Sequence, residues 1–374
     1  MLMKRIVCLL LALIPLCAFA RTAAAAPVLS AHAAVLMESQ SGDVLIDCRA
    51  QERLPMASTT KIMTALVALE EGDLCAIVHI PAEATGIEGS SVYLKPGEEL
   101  TLEQLLLALM LESANDAAAA IAISVAGDIP TFAEKMNETA RRLGLTNTHF
   151  TNPHGLDDEE HYTTAYDLAL LTRYALENED FRRIVSTRKA TIPLCGAEGT
   201  RVLVNHNRLL RVYDGAIGVK TGYTRRCGRC LVSAAERDGV RMIAVTLNAP
   251  DDWRDHEAML DYGFSQYTLC TLAEAGEIAV TIPCLGGVPS SVSASNAETA
   301  SAVLRKTHGA VTVTVEADHH LCAPVAAGET VGTVHFSCDG REIARCALTA
   351  RTSSDAIPPR RSLFDRLLQS FQGE

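Results

Sequence analysis

Three short clusters of reactive side chains lie in a fixed order along the chain: Ser58-Thr59-Thr60-Lys61, Ser113-Ala114-Asn115 and Lys220-Thr221-Gly222. They supply a hydroxyl nucleophile, two amines and a carboxamide. Serine is a weak nucleophile until a neighbouring base takes its proton. Lys61 can be that base if its amine is neutral, and burial or a second cation such as Lys220 would depress its pKa. In this scheme Ser58 attacks and Ser113 relays the proton towards a leaving amine. Asn115 holds a substrate amide or orients Lys61, while Lys220 and Thr221 bind a terminal carboxylate. Gly222 lets a strand come close to a ligand. The backbone N–H groups of Ser58 and Tyr223 are the natural oxyanion donors. The chemistry is acyl transfer through a serine ester, and it needs no metal and no cofactor. A lone S-x-x-K is expected about once by chance in a chain of this length, whereas the ordered trio is far rarer.

Local patterns place these residues. Ala34–Met37 and Val44–Ile46 flank a Ser41-Gly42-Asp43 turn and read as a hairpin. Ser58 opens an apolar-periodic run, Ile62, Met63, Leu66, Val67 and Leu69, that stops at Gly72. The reading is a helix with Ser58 at its N-terminus and Lys61 one turn on, on the same face. Thr101-Leu102-Glu103-Gln104 is a capping box for a second helix, and Thr131-Phe132-Ala133-Glu134 reads as another. Ser113-Ala114-Asn115 falls at the break before an alanine-rich helix, where side chains can face a cleft. Strands follow at Cys230–Ala234 and Arg241–Leu247. Strand, helices, then strands predicts a sheet with helices packed on it, an α+β arrangement.

The 374 residues suffice for two domains. A net charge of −12 argues against general nucleic-acid binding, which needs a basic footprint. Lys4 and Arg5 precede an apolar stretch from Ile6 to Phe19, and Ala18-Phe19-Ala20 and Ala24-Ala25-Ala26 offer cleavage sites. Residues 1–26 therefore read as a secretory leader and the mature protein as exported. Twelve cysteines include Cys8 and Cys17 in the leader, leaving ten whose pairing spacing cannot assign. Cys227-Gly228-Arg229-Cys230 lacks the partners of a zinc site and leads into a strand, so it reads as buried thiols or a local disulfide. His154 and His161 likewise lack ligand partners at metal spacing.

After the chemical region, taken as residues 27–268, composition shifts. Val311-Thr312-Val313-Thr314-Val315 alternates with period two. Asp339-Gly340 between Val334–Cys338 and Ile343–Leu348 is a hairpin signal. Residues 271–350 are expected to form a small all-β domain. A linker at 351–361 leads to residues 362–374, where Leu363, Phe364, Leu367, Leu368 and Phe371 share one helical face. Such a tail suits a membrane interface, or docking on its own domain.

At this point the chain resembles the low-molecular-mass penicillin-binding proteins, the serine-type D-alanyl-D-alanine carboxypeptidases. The motif trio is typical of penicillin-binding proteins and class A β-lactamases. The resemblance extends to Pro55–Thr64, Asn152-Pro153-His154-Gly155-Leu156, Thr163–Ala169 and Lys220–Thr224. It implies a β-lactamase/transpeptidase-like fold, an antiparallel sheet with a helical subdomain. It implies removal of the terminal D-alanine from peptidoglycan pentapeptide stems, and acylation of Ser58 by β-lactams. It further implies a peripheral anchor on the outer face of the cytoplasmic membrane. Family members also use an arginine for the substrate carboxylate, for which Arg254 is the candidate. The chain departs from the family pattern at Ile217, where Asp is common, and at Arg225, Arg226 and Cys227, which replace acidic and small residues. These flank the site and bear on rate and preference.

Two competing readings use other features. Glu159 and Glu160 would serve a β-lactamase or endopeptidase on the same scaffold if one reached a deacylating water. A non-catalytic wall-binding protein would be indifferent to Ser58→Ala.

Overall fold

The computed structural model describes residues 4–9, 25–194 and 199–358 of the chain. It divides into two compact units, one spanning Thr22–Thr268 and the other built on Leu269–Glu374.

The first unit is organised on a five-stranded antiparallel sheet, in the order Val44–Cys48, Ala33–Glu38, Val240–Leu247, Gly228–Arg237, Ala216–Thr224. Every residue of Ala33–Glu38 is buried, because both faces of the sheet are covered. Side chains alternate between faces with period two. Val35, Met37, Ile243 and Val245 accordingly join the large core cluster with the helical subdomain. Leu36 and Met242 point the other way, against Gly263 of helix Asp252–Gln266.

The helices are α1 (Lys61–Glu71), α2 (Leu102–Leu111), α3 (Asn115–Ala126), α4 (Ile129–Arg142), α5 (Ala165–Ala175), α6 (Glu179–Ser186), α7 (Leu209–Val212) and α8 (Asp252–Gln266). The predicted capping box at the head of α2 is present. Thr101 accepts from the Gln104 N–H at 3.2 Å, and the Gln104 side chain accepts from the Thr101 N–H at 2.9 Å. Two expectations need correction. The N-cap of helix α4 is Asp128, not Thr131: Asp128 accepts from the Thr131 N–H at 2.7 Å, and the helix begins at Ile129. Ser58 lies in a 3₁₀ turn, Ala57–Thr60, and the α-helix proper starts at Lys61. That turn is tightened by hydroxyls bonding back to the chain: Thr59 Oγ1 to the Met56 carbonyl and Thr60 Oγ1 to the Ala57 carbonyl, each at 2.7 Å. Among the described residues no single helix is long and apolar enough to cross a membrane.

The second unit is all-β among its described residues. Its main sheet runs Lys4–Leu9, Val311–Asp318, Thr330–Cys338, Arg341–Ala350, Ser291–Asn296, Ala279–Leu285, Leu321–Cys322. The alternation at Val311–Val315 turns Val311, Val313 and Val315 inward against Val334, Phe336 and Leu348. Asp339 (φ 50°) and Gly340 (φ 79°) form the hairpin turn, both in the left-handed region that a type I′ turn requires. Lys4–Leu9, within the expected leader, is an edge strand here. The rest of the leader through residue 24, the end of the linker, the 362–374 tail and Cys195 lie outside the described residues.

Candidate active site

The nucleophile turn is held from three directions. Lys61, with none of its surface exposed, places Nζ 2.9 Å from Ser58 Oγ, 2.7 Å from Asn115 Oδ1 and 2.6 Å from the His154 carbonyl oxygen. Asn115 Oδ1 and the His154 carbonyl oxygen can only accept. A neutral amine has two N–H bonds and one lone pair, so donating to both obligate acceptors leaves the lone pair facing the Ser58 hydroxyl. Electrostatics favour that neutral form. Burial, then the Lys220 cation, lower the Lys61 pKa well below its ordinary value, with Asp116 opposing.

Each partner is fixed by its own element. Asn115 is the first residue of α3, and its Nδ2 donates to the Glu88 carbonyl at 2.5 Å. Its carboxamide thus ties the Lys61 amine to the loop carrying Glu88. Asp116 beside it accepts from Ser91 Oγ at 2.6 Å and the Leu94 N–H at 2.9 Å, which organises the loop bearing Ser90. Ser113 sits between α2 and α3 with φ 61°. The His154 carbonyl is aimed by Asn152, whose Oδ1 accepts from the Gly155 N–H at 2.7 Å, and by Thr64, which donates to the Pro153 carbonyl at 2.6 Å.

Strand Ala216–Thr224 closes the other side. At Gly222 a Cβ would stand 3.1 Å from the Ser58 nitrogen and 3.2 Å from the Met56 oxygen, so the strand meets the nucleophile turn at backbone contact. Lys220 is buried, and burial pulls its pKa down to about 7. Ser58, Ser90, Ser113, Thr221, Tyr223 and Arg229 line a cleft of about 260 Å³, with Gly222, His206, Asp252 and Trp253 completing its wall.

Arg254 is exposed on α8 and is not among the residues lining this cleft. Arg229 is, and it is anchored there by Asp252, which accepts from its Nε at 3.0 Å and from Nη2 at 3.0 Å. Sequence reasoning missed Arg229 because it was read only as the interior of the Cys-x-x-Cys motif. Its position one residue into the strand paired with Tyr223 was the available signal. Glu159 and Glu160 are exposed and do not line the cleft.

Behind the turn, Thr60 Oγ1 has one proton, which it gives to the Ala57 carbonyl. His161 Nε2, 2.7 Å from Thr60 Oγ1, must therefore donate, while Nδ1 accepts from the Thr151 N–H at 3.1 Å. His161 is thus neutral, and burial lowers its pKa to about 4. His154 and His256 are pushed to about 3, again chiefly by burial. The unfolded chain takes up these protons near pH 6.5 and the folded one resists until about pH 3–4. Stability is therefore full above pH 6.5 and falls as pH drops through that window, by roughly 1.4 kcal/mol per histidine per pH unit. Thermal melts from pH 7.5 to pH 4.5 should show a steadily falling Tm; a Tm constant to pH 5 would contradict it.

A buried lysine on a serine, a hydrogen-bonded carboxamide and a lysine-bearing strand across the cleft form the arrangement that acyl transfer through a lysine-activated serine requires. The profile of the D-alanyl-D-alanine carboxypeptidase family matches residues 20–251, and that of the penicillin-binding protein 5 C-terminal domain matches residues 267–355. The chain is 34% identical over 335 residues to D-alanyl-D-alanine carboxypeptidase DacF of Bacillus subtilis, covering 86% of this chain and 85% of that one. It is 34% identical over 347 residues to DacC of Escherichia coli, covering 85% and 82%. Among solved structures, penicillin-binding protein 5 of Haemophilus influenzae aligns with TM-score 0.66 at 29% identity, over 89% of this chain and 99% of that one. The Streptomyces K15 DD-transpeptidase aligns with TM-score 0.62 at 35% identity, over 65% and 100%. The chain belongs to the D-alanyl-D-alanine carboxypeptidase family.

Proposed function

We propose that this enzyme removes the terminal D-alanine from peptidoglycan pentapeptide stems through an acyl-enzyme on Ser58, and that β-lactams acylate the same residue. The observation that carries this reading is the amine of Lys61 held between two obligate acceptors and the Ser58 hydroxyl. Lys61 takes the proton as Ser58 Oγ attacks the penultimate carbonyl. The N–H groups of Ser58 and Tyr223 receive the oxyanion. Ser113 passes the proton to the departing alanine amine, and water then releases the acyl group. Lys220, Thr221 and Arg229 hold the terminal carboxylate, with Arg229 taking the part expected of Arg254. Residues 1–26 would direct export and then be removed, and the 362–374 tail would keep the enzyme on the outer face of the cytoplasmic membrane.

The test is mass analysis of a muropeptide ending in D-Ala-D-Ala after incubation with the enzyme. Loss of one alanine, blocked by penicillin that maps to the Ser58 peptide, supports the proposal. Intact pentapeptide with rapid penicillin hydrolysis would favour a β-lactamase, and reaction with neither a wall-binding protein. The carboxylate assignment is tested separately. A charge-assisted bond is worth about 1.5–3 kcal/mol, so Arg229→Ala should raise KM roughly 10- to 150-fold with a smaller effect on kcat. Arg254→Ala should leave both unchanged; the opposite ranking would return the role to Arg254.

A further inference from the structure

Cys227 and Cys230 stand where the catalytic strand ends, and the mechanism above uses neither. Both thiols are free and buried. Cys230 is the cross-strand neighbour of Gly222, and Cys227 closes the turn that joins Ala216–Thr224 to Gly228–Arg237. Cys227 is three residues from Cys230 in the chain, and the pKa of each thiol responds most strongly to the other. The Cys227 sulfur also accepts from the Thr224 N–H at 3.3 Å and lies 3.2 Å from Thr224 Oγ1. Thr224 Oγ1 is in turn 2.9 Å from Asp157 Oδ1, in the loop that presents the His154 carbonyl to Lys61.

We propose that Cys227 and Cys230 form a reversible dithiol–disulfide site, oxidised by an organic disulfide, whose state alters the hydrogen bonds that end the catalytic strand. The two cysteines have distinct roles. The neighbouring Cys230 thiol, then the Thr224 hydroxyl and N–H, stabilise the Cys227 thiolate, and its pKa falls to about 7. Arg225 and Arg226 beside it are exposed and add positive charge to the turn. Cys230, wholly buried, keeps its proton. The Cys227 thiolate attacks one sulfur of the oxidant R–S–S–R, whose S–S bond breaks and releases R–S⁻. Cys230 then loses its proton, and its sulfur attacks Cys227 in the mixed disulfide and expels the second R–S⁻. Two electrons and two protons pass to the oxidant, which becomes two thiols. In the product the Cys227 sulfur is no longer a thiolate acceptor and is drawn to within about 2.05 Å of its partner. Thr224 loses that anchor, and the loosening reaches Gly222 along the strand and Asp157 across it.

The test equilibrates the full chain in glutathione buffers of rising oxidised fraction and quenches it with an alkylating agent. Peptide mapping and the rate of Ser58 acylation by a fluorescent penicillin are then read on the same samples. The proposal expects a Cys227–Cys230 peptide two hydrogens lighter, appearing on a two-electron curve. Acylation should slow roughly five- to tenfold on the same curve and recover with dithiothreitol. Cys227→Ser should acylate like the reduced wild type and ignore the buffer; Cys230→Ala is the second variant should the first fold poorly. The proposal is overturned if the pair stays reduced in the most oxidising buffer, if either cysteine bonds elsewhere, or if the disulfide forms with the rate unchanged. Because mapping does not depend on catalysis, loss of the acylation readout alone would count against the role of Ser58, not against the thiol site.

Discussion

Lys61→Met should yield a folded protein whose Ser58 is acylated roughly a thousandfold to ten-thousandfold more slowly, the range expected when a general base to a serine is removed. Methionine matches the lysine stem in length and volume but has no lone pair of comparable basicity. The cost in stability is bounded. Asn115 Oδ1 and the His154 carbonyl lose their donor, at about 1–3 kcal/mol for each buried acceptor. Relief from burying an amine with no exposed surface offsets part of that. A net loss under about 3 kcal/mol is expected, and denaturant unfolding monitored with the penicillin assay separates the two effects. A variant that unfolds outright would show Lys61 to be structural first; one that keeps a tenth of the acylation rate would remove it as the base. The wild-type pH profile carries the same logic. Lys61 acts neutral, so kcat/KM rises with pH as its amine loses its proton. Lys220 must be charged to meet a carboxylate, so kcat/KM falls again as pH passes about 7. A substrate amidated at its terminal carboxyl should lack that descending limb.

Gly155→Ala should be among the most damaging single substitutions in the chain. Gly155 has φ 87°, where an alanine is strained by roughly 1–2 kcal/mol. A Cβ there would also overlap the Ala57 carbonyl group and stand 2.8 Å from Thr60 Oγ1. Both atoms belong to the turn that carries Ser58, and Ala57 is itself at φ 47°. Relief requires moving that turn or the loop that aims the His154 carbonyl. A stability loss of about 3 kcal/mol or more is expected, with acylation lost in whatever still folds. Gly97→Ala is the internal control, since Gly97 has φ 78° and open space around its missing Cβ. It should cost only the backbone strain and leave acylation unchanged. Equal effects of the two substitutions would mean that the contact with Ala57 does not matter.

The contrast between these glycines shows how far the sequence could be read. Gly155 and Gly97 look alike as turn residues, and only the packing of the 152–156 loop against the nucleophile turn separates them. Sequence reading paired Ser58 with Lys61 correctly because three residues of helical or 3₁₀ chain bring side chains together whatever the rest does. The same locality made the Thr101 capping box and the Asp339-Gly340 hairpin legible. It failed by three residues at Thr131, where the Asp128 cap and Pro130 start the helix earlier, and by one half-turn at Ser58, where two threonine hydroxyls favour a 3₁₀ turn.

What the sequence by itself determined was which reactive side chains are present and their local geometry, Ser58 one turn from Lys61, the Asn115 carboxamide at a helix start and Lys220 on a strand, and the alternation that makes the second unit all-β. Tertiary structure alone decided which groups complete the site. The third partner of Lys61 is a backbone carbonyl from residue 154, and every residue has a carbonyl, so no residue type could announce it. Arg229 and Arg254 carry the same charge, and the fold turns one into the cleft and leaves the other in solvent. Residue type and short spacing act through neighbours fixed by the covalent chain, whereas these contacts join segments tens of residues apart that only the packed core holds together.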